Sequence, residues 1–457
     1  MRKLFKYVSV ILVIILLLAF AVAPFTIFPV ISGYGAKNMC SAVFLQHRDP
    51  ADVVREDFFF PISLGNFKVD MKDSSVTGTV WGLSKRKAIF RCNIGSTLIN
   101  DIPEATVRKQ QFTLAQPSSK NTDSLYWPMG DKLRDSLPEE INKAELDKVV
   151  ASVLNEKNKD GKPLYTKAVL VVYDGQIVAE AYGPGFNSKS VHLGWSMAKT
   201  VTAAITGILV KQGKLKVDEP APVAAWKDTD KSSITIKNLL QQTSGLDFSE
   251  VYFRPSSANT MLWSKGDMAA YTESLSLGHP PGTVFNYSSG NVNVMSRIIR
   301  DILGDDYYAF PRRELFNKIN AGSFLIEPDA SGTLVGSSFV YASARDYARF
   351  GLLYYNHGNW NGEQILPDYW VKESIQPSSA DPRQRYGYFT WLNGKDENLS
   401  GKWFPDAPAD MYFANGFAGQ DIFIIPSEKL ILVRLGMRQI DNNAFIRDVI
   451  KTIRKRN

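Results

Sequence analysis

The sequence predicts an α+β fold: an antiparallel sheet assembled from both chain ends, flanked by helices, with a mainly helical subdomain inserted between its halves and a transmembrane helix at the N-terminus. Three observations carry this reading. Strand-like runs joined by tight turns occur at 167–182 and again at 411–435, and the stretch between them is mostly helical in pattern. Strands that flank a helical middle suit one sheet closed by the two ends. A charge-free apolar run at 7–31 follows the cations Arg2, Lys3 and Lys6. Finally, 457 residues exceed one ordinary core, so the chain divides into several domains or carries insertions.

A bilayer core needs about 20 apolar residues in a helix, and the run at 7–31 supplies them. A cleaved signal peptide has a shorter apolar core and a small-residue cleavage site. Ala21-Val22-Ala23 fits such a site loosely, but Pro24 follows and the apolar run continues through Phe28 and Ile31. Residues 1–32 therefore read as an uncleaved anchor, and as a leader of a secreted protein only if they are cleaved. The basic flank stays in the cytoplasm and the body lies outside, in a periplasm or the extracellular space. Residues 33–140 read as an N-terminal extension of unassigned role, with short strand-like runs at 76–80 and 88–92 and a polar linker opening at 116–119.

Residues 141–457 read as the main domain. The β-branched runs 167–173 and 176–182 are joined by Asp174-Gly175, the strongest short-range hairpin signal. An apolar helix is expected at 196–212, closed by Gly213. A second is expected at 343–355, where Ala344, Tyr347, Ala348, Gly351 and Leu352 share a face. Strands are expected at 386–392 and 411–414. A hairpin is expected at 421–425 and 430–435, and a final helix at 444–454.

Composition narrows the function. Hydrophobic residues make up 44 % and charged residues 22 %, the balance of a globular protein rather than a disordered one. The net charge of +7 is spread thinly and no Lys/Arg stripe is interleaved with aromatics, so nucleic acid is not an expected partner. The two cysteines, Cys40 and Cys92, form no CxxC pair and have no zinc-type spacing with histidine; no metal and no cofactor is expected. In an exported chain they are able to pair, and two unbridged thiols are the other reading.

The chemistry-bearing residues begin with Ser196-Met197-Ala198-Lys199. Residues three apart share a helix face, and a serine at a helix start has free backbone N–H groups around it. A lysine one turn on brings an amine to the hydroxyl, and as a neutral amine it is able to take the serine proton. A chain of this length holds roughly one or two Ser-x-x-Lys matches by chance. Ser84-Lys85-Arg86-Lys87 is the second here, and it reads as solvated surface because no long apolar helix follows it. The next element is Tyr287-Ser288-Ser289-Gly290, after the turn-rich Pro280-Pro281-Gly282-Thr283; a loop-borne phenol is placed to relay a proton. The third is Gly416-Phe417-Ala418-Gly419-Gln420 at a strand edge, where glycine lets a substrate backbone approach closely and a backbone N–H meets a developing oxyanion.

Taken in this order, Ser-x-x-Lys, Tyr-Ser-Ser-Gly and Gly-x-x-Gly-Gln, with Leu239-Leu240-Gln241-Gln242-Thr243-Ser244-Gly245-Leu246 between the first two, resemble the serine beta-lactamase and penicillin-binding-protein superfamily. The resemblance is to its class C-like branch, which includes esterases, D-amino-acid peptidases and 6-aminohexanoate-oligomer hydrolases, and it covers about residues 165–450. It implies Ser196 as acylated nucleophile, Lys199 as general base and Tyr287 as proton relay. It also implies an oxyanion hole from the backbone N–H groups of Ser196 and Gln420, and a substrate site at Ser289, Phe417 and Gly419. Trp195, Tyr252 and Trp263 are further aromatic candidates for an apolar cleft, with Tyr252 assigned to substrate binding. Two departures stand out: Ser289 replaces the asparagine of the family's second motif, and Phe417 and Ala418 replace the lysine and hydroxyl residue of the third. That lysine and hydroxyl hold a substrate carboxylate, so the resemblance implies an ester or amide hydrolase in first place and a beta-lactamase or D-amino-acid peptidase behind it. A non-catalytic envelope-binding relative is the alternative from another class. A Gly-x-Ser-x-Gly nucleophile elbow is one residue short at Gly194-Trp195-Ser196-Met197-Ala198 and lacks a preceding apolar strand.

Overall fold

The computed structural model describes residues 5, 7, 22–116, 124–252 and 254–454. They form two compact units: Met1–Gln110 with Phe248–Met268 and Pro328–Gly332, and Gln111–Asp247 with Ala269–Glu327 and Thr333–Asn457.

In the first unit, helix α1 (Phe28–Phe44) lies across a four-stranded antiparallel sheet of β1 (Gly65–Asp70), β2 (Ser75–Val80), β3 (Leu83–Arg91) and β4 (Gly95–Ile99), in that order. The approach is close because glycine allows it: a Cβ on Gly78 of β2 would meet the Ser32 carbonyl oxygen of α1 at 2.4 Å. Trp263, on the helix Ser257–Ser264, is buried with its ring 5.3 Å from that of Tyr34 on α1. It is a packing residue of this unit rather than part of a cleft. Cys40 is buried in α1 and Cys92 is exposed, and no disulfide joins them.

The expected transmembrane helix at 7–31 lies largely outside the described residues. Its last residues, from Phe28, are the first turn of α1, where Phe28 and Ile31 are buried. Among the described residues no helix is long and apolar enough to cross a membrane.

The second unit is the α+β body. Its strands are β5 (Thr166–Tyr173), β6 (Gln176–Tyr182), β7 (Val191–Leu193), β8 (Leu325–Ile326), β9 (Val340–Ser343), β10 (Trp391–Leu392), β11 (Tyr412–Gly416), β12 (Gln420–Ile425) and β13 (Leu430–Gly436). The main sheet has six antiparallel strands in the order β10-β11-β12-β13-β5-β6, so the two chain ends meet where β13 pairs with β5. Asp174 and Gly175 both take positive φ at the β5–β6 turn, as a two-residue hairpin loop requires.

Strand alternation divides the core. Ala168, Leu170 and Val172 of β5 face one apolar cluster together with the helices α3 (Met197–Lys211) and α5 (Ala344–Tyr355). Val169, Val171 and Tyr173 face the other, with α2 (Lys143–Leu154) and α6 (Asn442–Lys451). Both faces are covered, so β5 reads as a continuous apolar run instead of an alternating one. The helical segment between the sheet halves includes α4 (Ser289–Leu303) and a small sheet in the order β7-β9-β8. The strand expected at 386–392 is mostly turn: only Trp391 and Leu392 join the sheet, and Tyr386 pairs back on Trp391.

Candidate active site

Ser196 is the N-cap residue of α3. The segment leading to it is fixed by glycine and by strain. Gly194 donates its N–H to the Val340 carbonyl at 2.8 Å, and a Cβ on Gly194 would meet the Tyr347 hydroxyl at 2.5 Å. Tyr347 is fully buried and donates to the His192 and Val340 carbonyls. Trp195 then adopts φ +47, an unfavourable conformation for a bulky side chain that persists only when its surroundings impose it. Its ring packs between Phe339 and Phe417, at 6.1 and 5.6 Å.

Lys199, one turn on, is 1 % exposed. Its Nζ donates to Ser196 Oγ at 3.0 Å, to Ser289 Oγ at 3.0 Å and to the Ser337 carbonyl at 2.9 Å. Three acceptors match the three donors of an ammonium group, and the Ser196 contact lies within proton-transfer reach. Ser289 thus gives Lys199 a side-chain oxygen at the place where the family motif carries asparagine. Ser337 was not legible in advance, because its contribution is a backbone carbonyl.

Tyr287 lies against the same amine, with Lys199 Nζ 4.9 Å from its ring centroid. The ring stacks on Trp391 at 5.1 Å and meets Tyr386 edge-on at 5.7 Å. Gln242, in the stretch 239–246, brackets this tyrosine. Its backbone carbonyl accepts from Asn286 N–H at 2.8 Å, and its Oε1 accepts from Ser288 N–H at 3.2 Å and Asn291 Nδ2 at 2.8 Å. Gln242 is fully buried at φ +60, so it acts as a positioning residue for the loop.

The glycine-rich turn joins β11 to β12. A Cβ on Gly416 would meet the Gly194 carbonyl oxygen at 2.1 Å, so only glycine lets the turn reach the segment that carries Ser196. Gly416 and Gln420 form the last pair of the β11–β12 register and enclose a three-residue loop. Inside that loop the Gly419 N–H donates to the Gly416 carbonyl at 3.3 Å. The Gln420 N–H, the expected second oxyanion donor, lies at this strand end. The Gln420 side chain is engaged, with both its ends on Gly436. Beneath the turn, fully buried Arg434 donates to the Ala418 and Gly419 carbonyls at 3.3 and 2.7 Å and to Thr166 Oγ1 at 2.7 Å. Burial pulls its guanidinium down to about 10 and pushes Asp421, its register partner, up to about 6. Phe417 projects from the turn and is exposed.

Tyr252 belongs to the first unit, where its hydroxyl donates to Glu250. The second Ser-x-x-Lys match falls on strand β3. Ser84 bonds the Pro24 carbonyl, while Lys87 bridges Asp73 and Glu104 at 2.7 and 2.9 Å. Residues three apart on a strand point to opposite faces, so no serine–lysine pair forms there.

Comparison with known proteins agrees with this scaffold. A 6-aminohexanoate-dimer hydrolase of Paenarthrobacter ureafaciens is 25 % identical over 297 residues, 59 % of this chain and 72 % of that protein. The structure of a family VIII carboxylesterase superposes with a TM-score of 0.53 at 15 % identity, covering 70 % of this chain and 99 % of that one. A penicillin-binding-protein homologue from Caulobacter crescentus gives 0.53 at 15 % identity, covering 71 % and 98 %. At these identities the two structures speak for the fold. The Beta-lactamase family model matches residues 164–449, well over half of the chain, and this protein is therefore a beta-lactamase-like serine hydrolase of the Beta-lactamase family.

Proposed function

We propose that the protein hydrolyses an ester or an uncharged amide through an acyl-enzyme on Ser196. The observation that carries this is the 3.0 Å contact between Lys199 Nζ and Ser196 Oγ, with the amine held in place by Ser289 and Ser337. Lys199, as the neutral amine, takes the hydroxyl proton while Ser196 Oγ attacks the substrate carbonyl carbon. The negative oxygen of the tetrahedral intermediate is met by the Ser196 N–H at the start of α3 and by a backbone N–H of the Gly416–Gln420 turn, with Gln420 the donor the family resemblance implies. Tyr287 passes a proton to the leaving alcohol or amine as the bond to it breaks. Water, deprotonated through the same pair, then attacks the acyl-enzyme, releasing a carboxylic acid and restoring Ser196. A fluorophosphonate probe tests the reading. The active enzyme labels at Ser196, whereas absence of any label favours the envelope-binding alternative.

Phe417 supports the choice of substrate, as do relatives named for a 6-aminohexanoate dimer and for carboxylesterase activity. A carboxylate set against Phe417 would lose water without gaining a partner. Arg434, the cation beneath the turn, is buried and bonded to its carbonyls. Loss of a charge partner in a binding site costs about 2–5 kcal/mol, or about 30- to several thousand-fold in affinity. Neutral nitrophenyl esters are therefore expected to exceed a chromogenic cephalosporin and a D-Ala-D-Ala peptide in kcat/KM. The reverse order places the beta-lactamase or peptidase alternative first.

The apolar run at 7–31 behind three cations supports anchoring in a membrane with the body outside the cytoplasm. Full-length protein is expected to sediment with membranes and to resist carbonate extraction. Removal of residues 1–21, which stops short of α1, is expected to release an active enzyme. Recovery of the full-length protein in the soluble fraction would refute the anchor.

A further inference from the structure

The first unit carries an exposed aromatic end. The β2–β3 hairpin turns at Trp81 and Gly82, both at positive φ, +50 and +79. Two-residue turns of this kind favour asparagine and glycine, and a tryptophan is held there at a conformational cost. Most of the ring nevertheless stays in the open, with Trp81 61 % exposed. Leu83 beside it is exposed, and so are Phe60 and Leu64, which precede Gly65, the register partner of Val80, and so lie at the same end of the sheet.

The chain enters the unit at this same end. Phe28, at the start of α1, packs edge-on against Trp81 at 5.3 Å, and Ser84 Oγ donates to the Pro24 carbonyl at 2.5 Å. Phe25, one residue on from that carbonyl, is 83 % exposed. The apolar sequence that precedes Val22 thus leads directly into the patch, and Lys85 stands exposed next to it. Tryptophan, aliphatic residues and a lysine gathered where an apolar segment ends are the composition of a membrane–water boundary.

We propose that this end of the first unit, formed by the Trp81–Leu83 turn with Phe25, Phe60 and Leu64, rests in the headgroup layer of a lipid bilayer. The inference rests on the anchor reading and goes beyond it: a globular surface, and not only the N-terminal segment, meets lipid. Trp81 lies flat at the boundary, Leu83 and Phe60 dip toward the acyl chains, and Lys85 meets anionic headgroups. The sheet then stands away from the membrane, with Cys92 beyond the far end of β3. Nine residues of β3 at about 3.3 Å each separate the two ends.

This asymmetry supplies the test. The full-length protein is reconstituted in phosphatidylcholine–phosphatidylglycerol vesicles with an environment-sensitive fluorophore at one of three sites: native Cys92, position 81 in Trp81→Cys with Cys92→Ser, or position 83 in Leu83→Cys with Cys92→Ser. The expected result is a blue-shifted emission at 81 and 83, quenched by nitroxide-labelled headgroup lipids, with neither effect at Cys92. Vesicle-bound protein whose labels at 81 and 83 behave like the label at Cys92 overturns the proposal and leaves the anchor standing. Protein that stays in the supernatant overturns both. A blue shift that nitroxide lipids do not quench, and that fades on dilution of the protein within the bilayer, assigns the patch to a second copy of the chain and overturns the lipid proposal.

Discussion

Ser196→Ala is expected to reduce turnover by on the order of 10⁴-fold or more and to abolish covalent labelling, while the melting temperature stays close to that of the parent. The two halves of this expectation come from different observations. The rate falls because the variant lacks the hydroxyl at the N-cap of α3 that lies 3.0 Å from Lys199 Nζ. The fold is kept because Lys199 retains Ser289 and Ser337 as acceptors, so one hydrogen bond to a hydroxyl, about 1 kcal/mol, is all that is removed. Ser84→Ala serves as the matched control. It deletes the hydroxyl of the other Ser-x-x-Lys match and is expected to leave kcat/KM unchanged. A Ser196→Ala protein with parental activity would remove the serine from the mechanism and leave its contact with Lys199 as a structural one.

The parts of this fold that were legible in the sequence are those fixed locally. Asp174-Gly175 between two apolar runs gave the β5–β6 hairpin, and an unbroken apolar stretch ended by Gly213 gave α3 within one residue at each end. The pairing of β5 with β13 was anticipated only as a consequence of architecture, since nothing local links Leu170 to Val433. The four-stranded sheet of the first unit was legible only in part, through the strand-like runs at 76–80 and 88–92 that fall on β2 and the end of β3. The rest carries little apolar signal: β3 opens on LSKRK, and β1 alternates between half-buried and exposed positions. The apolar run that read as an anchor also concealed the start of α1, because a membrane helix and a buried helix share composition where they adjoin.

At the site, side chains with distinctive chemistry were legible and backbone groups were not. Ser196, Lys199 and Ser289 come together as their spacing and the family resemblance implied. The Ser337 carbonyl and the two-sided grip of Gln242 on the Tyr287 loop depend on folds of the chain that carry no residue signature. The second oxyanion donor is likewise a backbone group. The family resemblance implies the residue after Gly419, and the register of β11 and β12 decides which N–H groups of the turn the ladder uses.

Lys199→Met and Tyr287→Phe are each expected to lose about 10²–10⁴-fold in kcat, and the double variant is expected to lose far less than the product of the two. Methionine is the better replacement at position 199, because alanine would open a cavity in a fully packed site. The Ser289 hydroxyl and Ser337 carbonyl nevertheless lose their donor, so some stability, about 1–3 kcal/mol, is expected to go with it. Tyr287→Phe keeps the ring stacked on Trp391 and against Tyr386, and its melting temperature is expected to stay near parental. The difference separates chemistry from folding: a large rate loss in Tyr287→Phe has no structural explanation. Non-additivity follows from the geometry, since Lys199 Nζ lies 3.0 Å from Ser196 Oγ and 4.9 Å from the Tyr287 ring centroid. On the proposed mechanism one proton passes through both groups, and once either is removed the other has little left to do. The measurement is kcat and its pH profile for the two single variants and the double, with an ester whose leaving group needs protonation and with a nitrophenyl ester whose leaving group does not. Tyr287→Phe should hurt the first substrate more than the second, whereas Lys199→Met should hurt both. Fully additive losses, equal on both esters, would separate the two residues and leave Tyr287 as a packing residue against Trp391.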